Sequence, residues 1–246
     1  MSIDLNTSHG ITQHHTPYPF ITALNTPTSL PGRVVLITGA SRGIGGATAL
    51  AFAAAGASVA ILARTSTDLS TLALEIKKKY DNPVFAITGD VLVDPVAIVK
   101  QVERRFGRID VLINNAGIYR MSRFSEEKDI EAYWKVFEVN VKGPLALLHA
   151  VLPGFIKRGK GTVITVGSSA ADLPLPYQSS YDASKAAVQK SIQILDMELR
   201  DHGILNFLIQ PGVTKTDLGR GAVIGEEFIK MSAGFAQVGP LMFEEE

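Results

Sequence analysis

The chain has no cysteine among its 246 residues. That excludes disulfides, a thiolate nucleophile and thiolate zinc ligands, and it agrees with a reducing compartment. Excess charge is missing too: Lys plus Arg and Asp plus Glu are both 24, so the formal net charge is zero. A nucleic-acid binder carries a basic excess or stripe, so no nucleic-acid partner is expected. No basic segment leading into an apolar run marks the N-terminus; no secretory signal is read, and a cytoplasmic protein is expected. Between Arg42 and Arg64 there is no charge at all, over about the length of a membrane span. Gly56-Ala57-Ser58 breaks that stretch, with Ala-rich helical sequence before it and Val59-Ala60-Ile61-Leu62 after it. The pattern reads as a buried helix, a turn and a buried strand, and no membrane partner is expected.

What the chain does have is apolar material. Hydrophobic residues make up 46% against 20% charged, enough for one large α/β domain whose sheet is covered on both faces. Residues 1–32 stand apart, holding four of the twelve prolines and three of the five histidines (His9, His14 and His15). They read as a flexible or surface-draped N-terminal extension. A metal site built from those histidines lacks a supporting carboxylate pattern, so no metal is expected.

From Arg33 onward, short β-branched runs at 34–38, 59–62, 84–87, 109–114, 162–166 and 204–209 alternate with helical patterns at 44–55, 66–80, 95–106, 130–157 and 179–201. This alternation predicts right-handed crossovers and a doubly wound parallel sheet, a Rossmann-type α/β fold of six strands in one domain over 33–246. Gly143-Pro144 interrupts the fourth helical pattern and is expected to bend it.

The first strand runs into Thr38-Gly39-Ala40-Ser41-Arg42-Gly43-Ile44-Gly45. A strand, a glycine turn and a helix make a phosphate site. Gly39 permits the tight turn, Gly43 leaves room for a pyrophosphate, Gly45 lets the helix pack closely, and the helix N-terminus offers N–H groups to the anion. An NAD site places a carboxylate about twenty positions on, where this chain reads Leu62-Ala63-Arg64-Thr65. Arg64, with Arg42 in the turn, can instead fork onto a 2′-phosphate, so NADP(H) is favoured over NAD(H). The alternative is two ordinary surface arginines.

Tyr181 and Lys185 lie four apart at the start of a helical pattern and share a face. Ser168 ends the run 162–166, where an open α/β sheet binds ligands, with neighbouring Ser169 as a rival for its place. In this order and spacing the chain resembles the short-chain dehydrogenase/reductase family. Matching motifs are Thr38 to Gly45, Asn114-Asn115-Ala116-Gly117, Asn140, Ser168, Tyr181 with Lys185, and Pro211, Gly212 and Thr216; Asp90 in Gly89-Asp90-Val91 matches the family's adenine-contacting acid. His14-His15-Thr16-Pro17-Tyr18-Pro19 is similar to extensions on some fungal members.

The resemblance implies hydride transfer between a nicotinamide and a small carbonyl or secondary alcohol. It casts Tyr181 as general acid or base and Ser168 as hydrogen-bond partner of the substrate oxygen. Lys185 would hold the ribose and, with the charge of oxidised nicotinamide, favour the phenolate, and Asn140 would anchor a water linking Lys185 to solvent. Cofactor contact is implied for Gly39, Ser41, Arg42, Gly43, Ile44, Gly45 and Arg64, then for Asp90, Val91, Asn115, Ala116 and Gly117. Tyr181, Lys185, Pro211, Gly212, Val213 and Thr216 complete that set, and a dimer or tetramer through the fourth and fifth helical regions is implied as well.

One departure stands against the match. Only thirty residues follow Thr216, with no β-rich run after Ile209. The family's usual seventh strand is therefore expected to be missing, with the sixth left as an exposed edge. This motivates two further readings: a non-catalytic nucleotide-binding protein of the same fold, and an unstable fragment. The apolar residues of 173–177 and of 217–236, among them Leu218, Val223, Ile224, Phe228 and Phe235, suggest an apolar substrate pocket.

Overall fold

The computed structural model describes residues 30–173, 175–211 and Leu218. The six apolar runs become β1 (Val34–Thr38), β2 (Ser58–Ala63), β3 (Val84–Thr88), β4 (Val111–Asn114), β5 (Gly161–Val166) and β6 (Ile204–Ile209). All five pairings are parallel, in the order β3-β2-β1-β4-β5-β6. This is the doubly wound Rossmann-type sheet. The intervening helices are α1 (Gly43–Ala54), α2 (Ser66–Tyr80), α3 (Pro95–Phe106), α4 (Ile130–Phe137), α5 (Gly143–Arg158) and α6 (Ser179–Leu199). The uncharged stretch from Arg42 to Arg64 is accordingly a helix, a turn at Gly56 and a strand with five of its six residues buried.

Strand alternation divides the interior into two layers. Leu36, Leu62, Leu112 and Val163 point to the side of α3, α5 and α6, where they meet Val99, Leu147, Phe155 and Val188. Val35, Ile37, Val59 and Ile61 point to the side of α1 and α2, where they meet Ala49, Ala53, Leu69 and Ile76. Each large side chain so enclosed contributes about 1.5–3 kcal/mol. Local signals set the helix ends. In α3, Asp94 Oδ1 accepts from the Ala97 amide at 2.8 Å, Pro95 opens the first turn and Gly107 closes it at φ 83°.

The interruption near Gly143-Pro144 takes the form of a π turn, Glu138–Lys142, between α4 and α5. In a regular helix the Asn140 carbonyl would take the amide of residue 144, and proline has none. The coil widens instead, so that the Gly143 amide donates to the Glu138 carbonyl. Gly143 is required for a second reason: a Cβ there would sit 2.8 Å from Val91 Cγ2.

The run Ile130–Arg158 is long and apolar enough to cross a bilayer by length and composition alone. Here Leu147, Leu148, Val151 and Phe155 make it a core helix against the sheet. At the far edge, β6 pairs only with β5 among the described strands. Its Ile204 and Asn206 are buried on the α6 side, while Leu205, Phe207 and Ile209 stand exposed on the other.

Candidate active site

The strand order reverses between β1 and β4, whose following helices lie on opposite faces of the sheet, so a crevice opens at their carboxyl ends. Thr38 joins the two strand ends. Its hydroxyl accepts from the amides of Asn115 (3.0 Å) and Ala116 (2.9 Å), and Asn115 Nδ2 donates back to the carbonyls of Thr38 (2.9 Å) and Gly39 (3.1 Å). Gly39 and Gly43 turn with φ of 61° and 57°, a region that favours glycine. A Cβ on Gly45 would lie 2.3 Å from the Gly39 carbonyl oxygen and 2.4 Å from Asn115 Nδ2. The close approach expected at Gly45 is therefore to the turn itself and to Asn115, rather than to the strand. No side chain caps α1, whose first turn carries no acidic residue. Its leading amides suit an anion, and the glycine cradle suits a pyrophosphate lying against backbone.

Beyond β5, Ser168 stands close enough to Tyr181 to draw its phenol down. Ser168 Oγ also accepts from the Ala170 amide at 3.2 Å, whereas Ser169 begins the short 3₁₀ turn Ser169–Ala171. One turn along α6, Lys185 is 5% exposed, and its ammonium donates to the Val166 carbonyl at 2.9 Å and lies 5.7 Å from the Tyr181 ring centre. Gly117 brings the next members together: a Cβ on it would be 3.2 Å from Asn140 Oδ1 and 3.8 Å from Lys185 Nζ. From the π turn, Asn140 clasps Ile118, accepting from its amide and donating to its carbonyl, both at 2.9 Å, and it donates to Ser184 Oγ at 3.0 Å. Ser184 in turn donates to the Tyr181 carbonyl at 2.7 Å. Asn140 thus ties the loop after β4 to the helix bearing Tyr181 and Lys185.

Burial pushes the Lys185 ammonium down to about 8. The Tyr181 phenol is pushed up by burial, drawn down by Ser168 and pushed up again by the Asp182 carboxylate. Lys185 is not among the groups that shift it, and the other charge expected to favour the phenolate, that of oxidised nicotinamide, belongs to the cofactor. Burial raises the cost of the phenolate, and the chain's own groups leave the proton on oxygen.

Arg42 and Arg64 are both exposed, at the start of α1 and just past the end of β2. Asp90 follows β3 at the same edge of the sheet, its Oδ1 taking the Leu92 amide at 2.9 Å, and Val91 is buried beneath it in the core. Ser41 and Ile44 are half-buried in the glycine turn, and the Pro211 carbonyl accepts from the Ser169 amide at 3.5 Å. Gly212, Val213 and Thr216 lie outside the described residues, as do residues 1–29 and, Leu218 excepted, the apolar positions of 217–236.

Sequence reasoning passed over several groups. Thr38 was legible as the polar end of a buried strand. Asp182 stands inside the Tyr-Lys interval; its Oδ2 accepts from the Leu175 amide at 3.0 Å, and burial raises its carboxyl. Tyr119 packs edge-on against Tyr181 with ring centres 5.0 Å apart, and no local pattern announces it.

A family model for short chain dehydrogenases matches residues 33–226. The chain belongs to the short chain dehydrogenase family, oxidoreductases acting on the CH–OH/C=O pair. It is 42% identical over 205 residues to a short chain dehydrogenase of Pseudocercospora fijiensis, a match covering 82% of this chain and 66% of that relative. Among solved structures it resembles a gluconate 5-dehydrogenase from Burkholderia cenocepacia in complex with NADP and tartrate. That match has TM-score 0.75 and 31% identity, over 82% of this chain and 80% of the other. It also resembles an NAD+-bound xylitol dehydrogenase, with TM-score 0.73 and 26% identity over 89% and 81%. In this short chain dehydrogenase the glycine turn, the Asn115–Gly117 segment and the Ser168–Tyr181–Lys185 cluster all open on one crevice.

Proposed function

We propose that this short chain dehydrogenase is an NADP(H)-dependent oxidoreductase that reduces a small, apolar carbonyl compound to its secondary alcohol, and can run in reverse. The observation that carries this reading is the Tyr181 phenol, drawn down by Ser168 and with its ring centre 5.7 Å from the ammonium of the buried Lys185, which lies near Gly117 in the loop after β4. A nicotinamide cofactor bound in the crevice supplies the hydride for the carbonyl carbon. The chain's residues handle the proton: Tyr181 gives it to the carbonyl oxygen, and Ser168 hydrogen-bonds that oxygen as charge develops. Lys185 holds the ribose, and Asn140 keeps Ile118 and α6 in register around it.

A phenol whose pKa is raised by burial keeps its proton at neutral pH, as an acid must, and oxidation needs further positive charge nearby to make it a base. The exposed pair Arg42 and Arg64, with no carboxylate at the end of β2, supports NADP(H) over NAD(H). The neighbours include one protein solved with NADP and another with NAD+. The assembly we propose is a homo-oligomer, a dimer or tetramer, joined through α4–α5 and α6, which expose Ile130, Trp134, Ile194 and Met197.

The test is NADPH oxidation against a panel of ketones, with NADH in parallel. Tyr181→Phe is expected to lose about 100-fold or more in turnover while still binding NADPH by fluorescence titration. Arg64→Ala is expected to narrow the NADPH preference. Near wild-type turnover by Tyr181→Phe would remove Tyr181 as the acid.

A further inference from the structure

We propose that Tyr119 is the residue by which this site selects its substrate, its ring forming the wall against which an uncharged carbonyl compound bearing a flat ring beside the carbonyl is laid. The inference rests on the carbonyl-reductase reading above and adds the substrate class to it. Tyr119 is half-buried and meets the Tyr181 ring at 73° with centres 5.0 Å apart. A group presented to the Tyr181 hydroxyl is therefore presented to Tyr119 as well. The backbone before it is held at two points, since the amide and the carbonyl of Ile118 both bond Asn140. A ring on so fixed a segment is preorganised and loses little freedom when a ligand packs on it.

The loop that follows is closed by a clamp. Arg120 forks onto Glu127 at 2.9 and 2.5 Å, the Ser122 hydroxyl donates to the same carboxylate at 2.7 Å, and the Asp129 amide donates at 3.0 Å. The opposite side of the crevice is tied to this loop. The Ser122 amide donates to the Tyr177 carbonyl at 2.9 Å, and Arg123 donates to the Tyr177 hydroxyl at 3.1 Å, its guanidinium 5.1 Å from that ring. Tyr177 is held at φ 70°, and Asp182 takes the Leu175 amide, which pins the same segment to α6. The rim is thus a fixed frame of two loops with aromatic rings on either side.

Its chemistry follows from what those groups already engage. Both rim arginines are paired, Arg120 with Glu127 and Arg123 with Glu126 at 3.3 Å and with Tyr177, so the frame is poorly suited to an anionic substrate. Burial, Asp182 and Tyr181 push the Tyr119 phenol up to about 12, so it stays a neutral hydroxyl. An aromatic wall with a neutral hydroxyl favours stacking and edge contacts with a planar ring over a flexible alkyl chain of equal size.

The experiment compares acetophenone with 2-octanone, ketones of equal carbon number, as NADPH-linked substrates of the full chain. Wild type is expected to favour acetophenone in kcat/KM. Tyr119→Leu is expected to lower the acetophenone-to-octanone ratio about tenfold, mainly through KM and with NADPH affinity unchanged, whereas Tyr119→Phe keeps the ratio. An unchanged ratio in Tyr119→Leu, or a wild type that prefers 2-octanone, overturns the inference. A wild type that reduces neither these two nor any other ketone of the panel overturns the reductase reading instead. Ring selection is then read from the two ketones' dissociation constants for the NADPH complex, where equal values for wild type would end it.

Discussion

The Lys185 ammonium is 5% exposed and bonded to the Val166 carbonyl, and burial brings its pKa down to about 8. Holding that charge in the fold at neutral pH costs on the order of 3 kcal/mol. The sign follows from proton counting. Between about pH 8 and 10 the unfolded chain keeps the lysine proton and the folded chain has released it, so this residue's contribution to stability rises with pH there. Lys185→Met lacks that titration. Urea unfolding from pH 7 to 10 is expected to show wild type gaining on Lys185→Met as pH rises. A constant difference between the two would mean that the ammonium is not desolvated. Such a cost in the resting fold is common where a charge serves chemistry rather than stability. Asp182 follows the same pattern: burial raises its carboxyl, and its charge adds to the burial that keeps the Tyr181 proton on oxygen.

Among the elements, the glycine turn and the π turn do the positioning, and they do it by different means. The turn works by close approach, and its tightest point is Gly45. Gly45→Ala would force a Cβ to within 2.3 Å of a backbone oxygen that cannot yield cheaply. We expect a loss of about 3 kcal/mol in urea unfolding together with weakened NADPH binding. Gly154→Ala in α5 is the contrast. Its nearest atoms, at 3.2 and 3.3 Å, are the ends of the Glu103 and Arg158 side chains. A gain of up to about 1 kcal/mol is expected there, because alanine is the better helix former. The π turn works through hydrogen bonds: by widening the helix before Pro144 it supports Asn140 in its bonds with Ile118 and Ser184.

At the scale of the molecule, the apolar surface that remains is unevenly distributed. Trp134 is 53% exposed and sits with Phe137, Val141 and Leu145 along a shallow hollow on α4–α5. An apolar hollow of this kind suits burial against a second copy, as the proposed homo-oligomer requires. Trp134→Glu is expected to shift sedimentation toward the monomer while leaving the circular dichroism unchanged; an unaltered sedimentation coefficient would exclude Trp134 from the assembly surface. The exposed row Leu205, Phe207 and Ile209 belongs to β6, the strand read in advance as a vulnerable edge.

Much of this architecture was legible in advance because its signals are local. The strands from Val34 and from Ile204 begin and end where their β-branched runs do, and the helix over 66–80 keeps its predicted bounds. Gly39, Gly43 and Gly45 declare a cradle because only glycine tolerates such turns and contacts. The four-residue step from Tyr181 to Lys185 is a property of any helix.

The rest depends on residues that only the folded chain brings together. Asn140 and Ile118, 22 positions apart, meet because Pro144 widens a helix; Tyr119 finds Tyr181 because two loops leave neighbouring strands on the same edge. The direction in which burial pushes the phenol is set in the same way. Which charges stand nearby can be guessed from spacing, but how much water is withdrawn from them cannot. Sequence alone determined the elements, their order and the residue types gathered at the crevice. Tertiary structure decided their electrostatics and the shape of the rim, because burial and long-range hydrogen bonds exist only once distant segments are packed together.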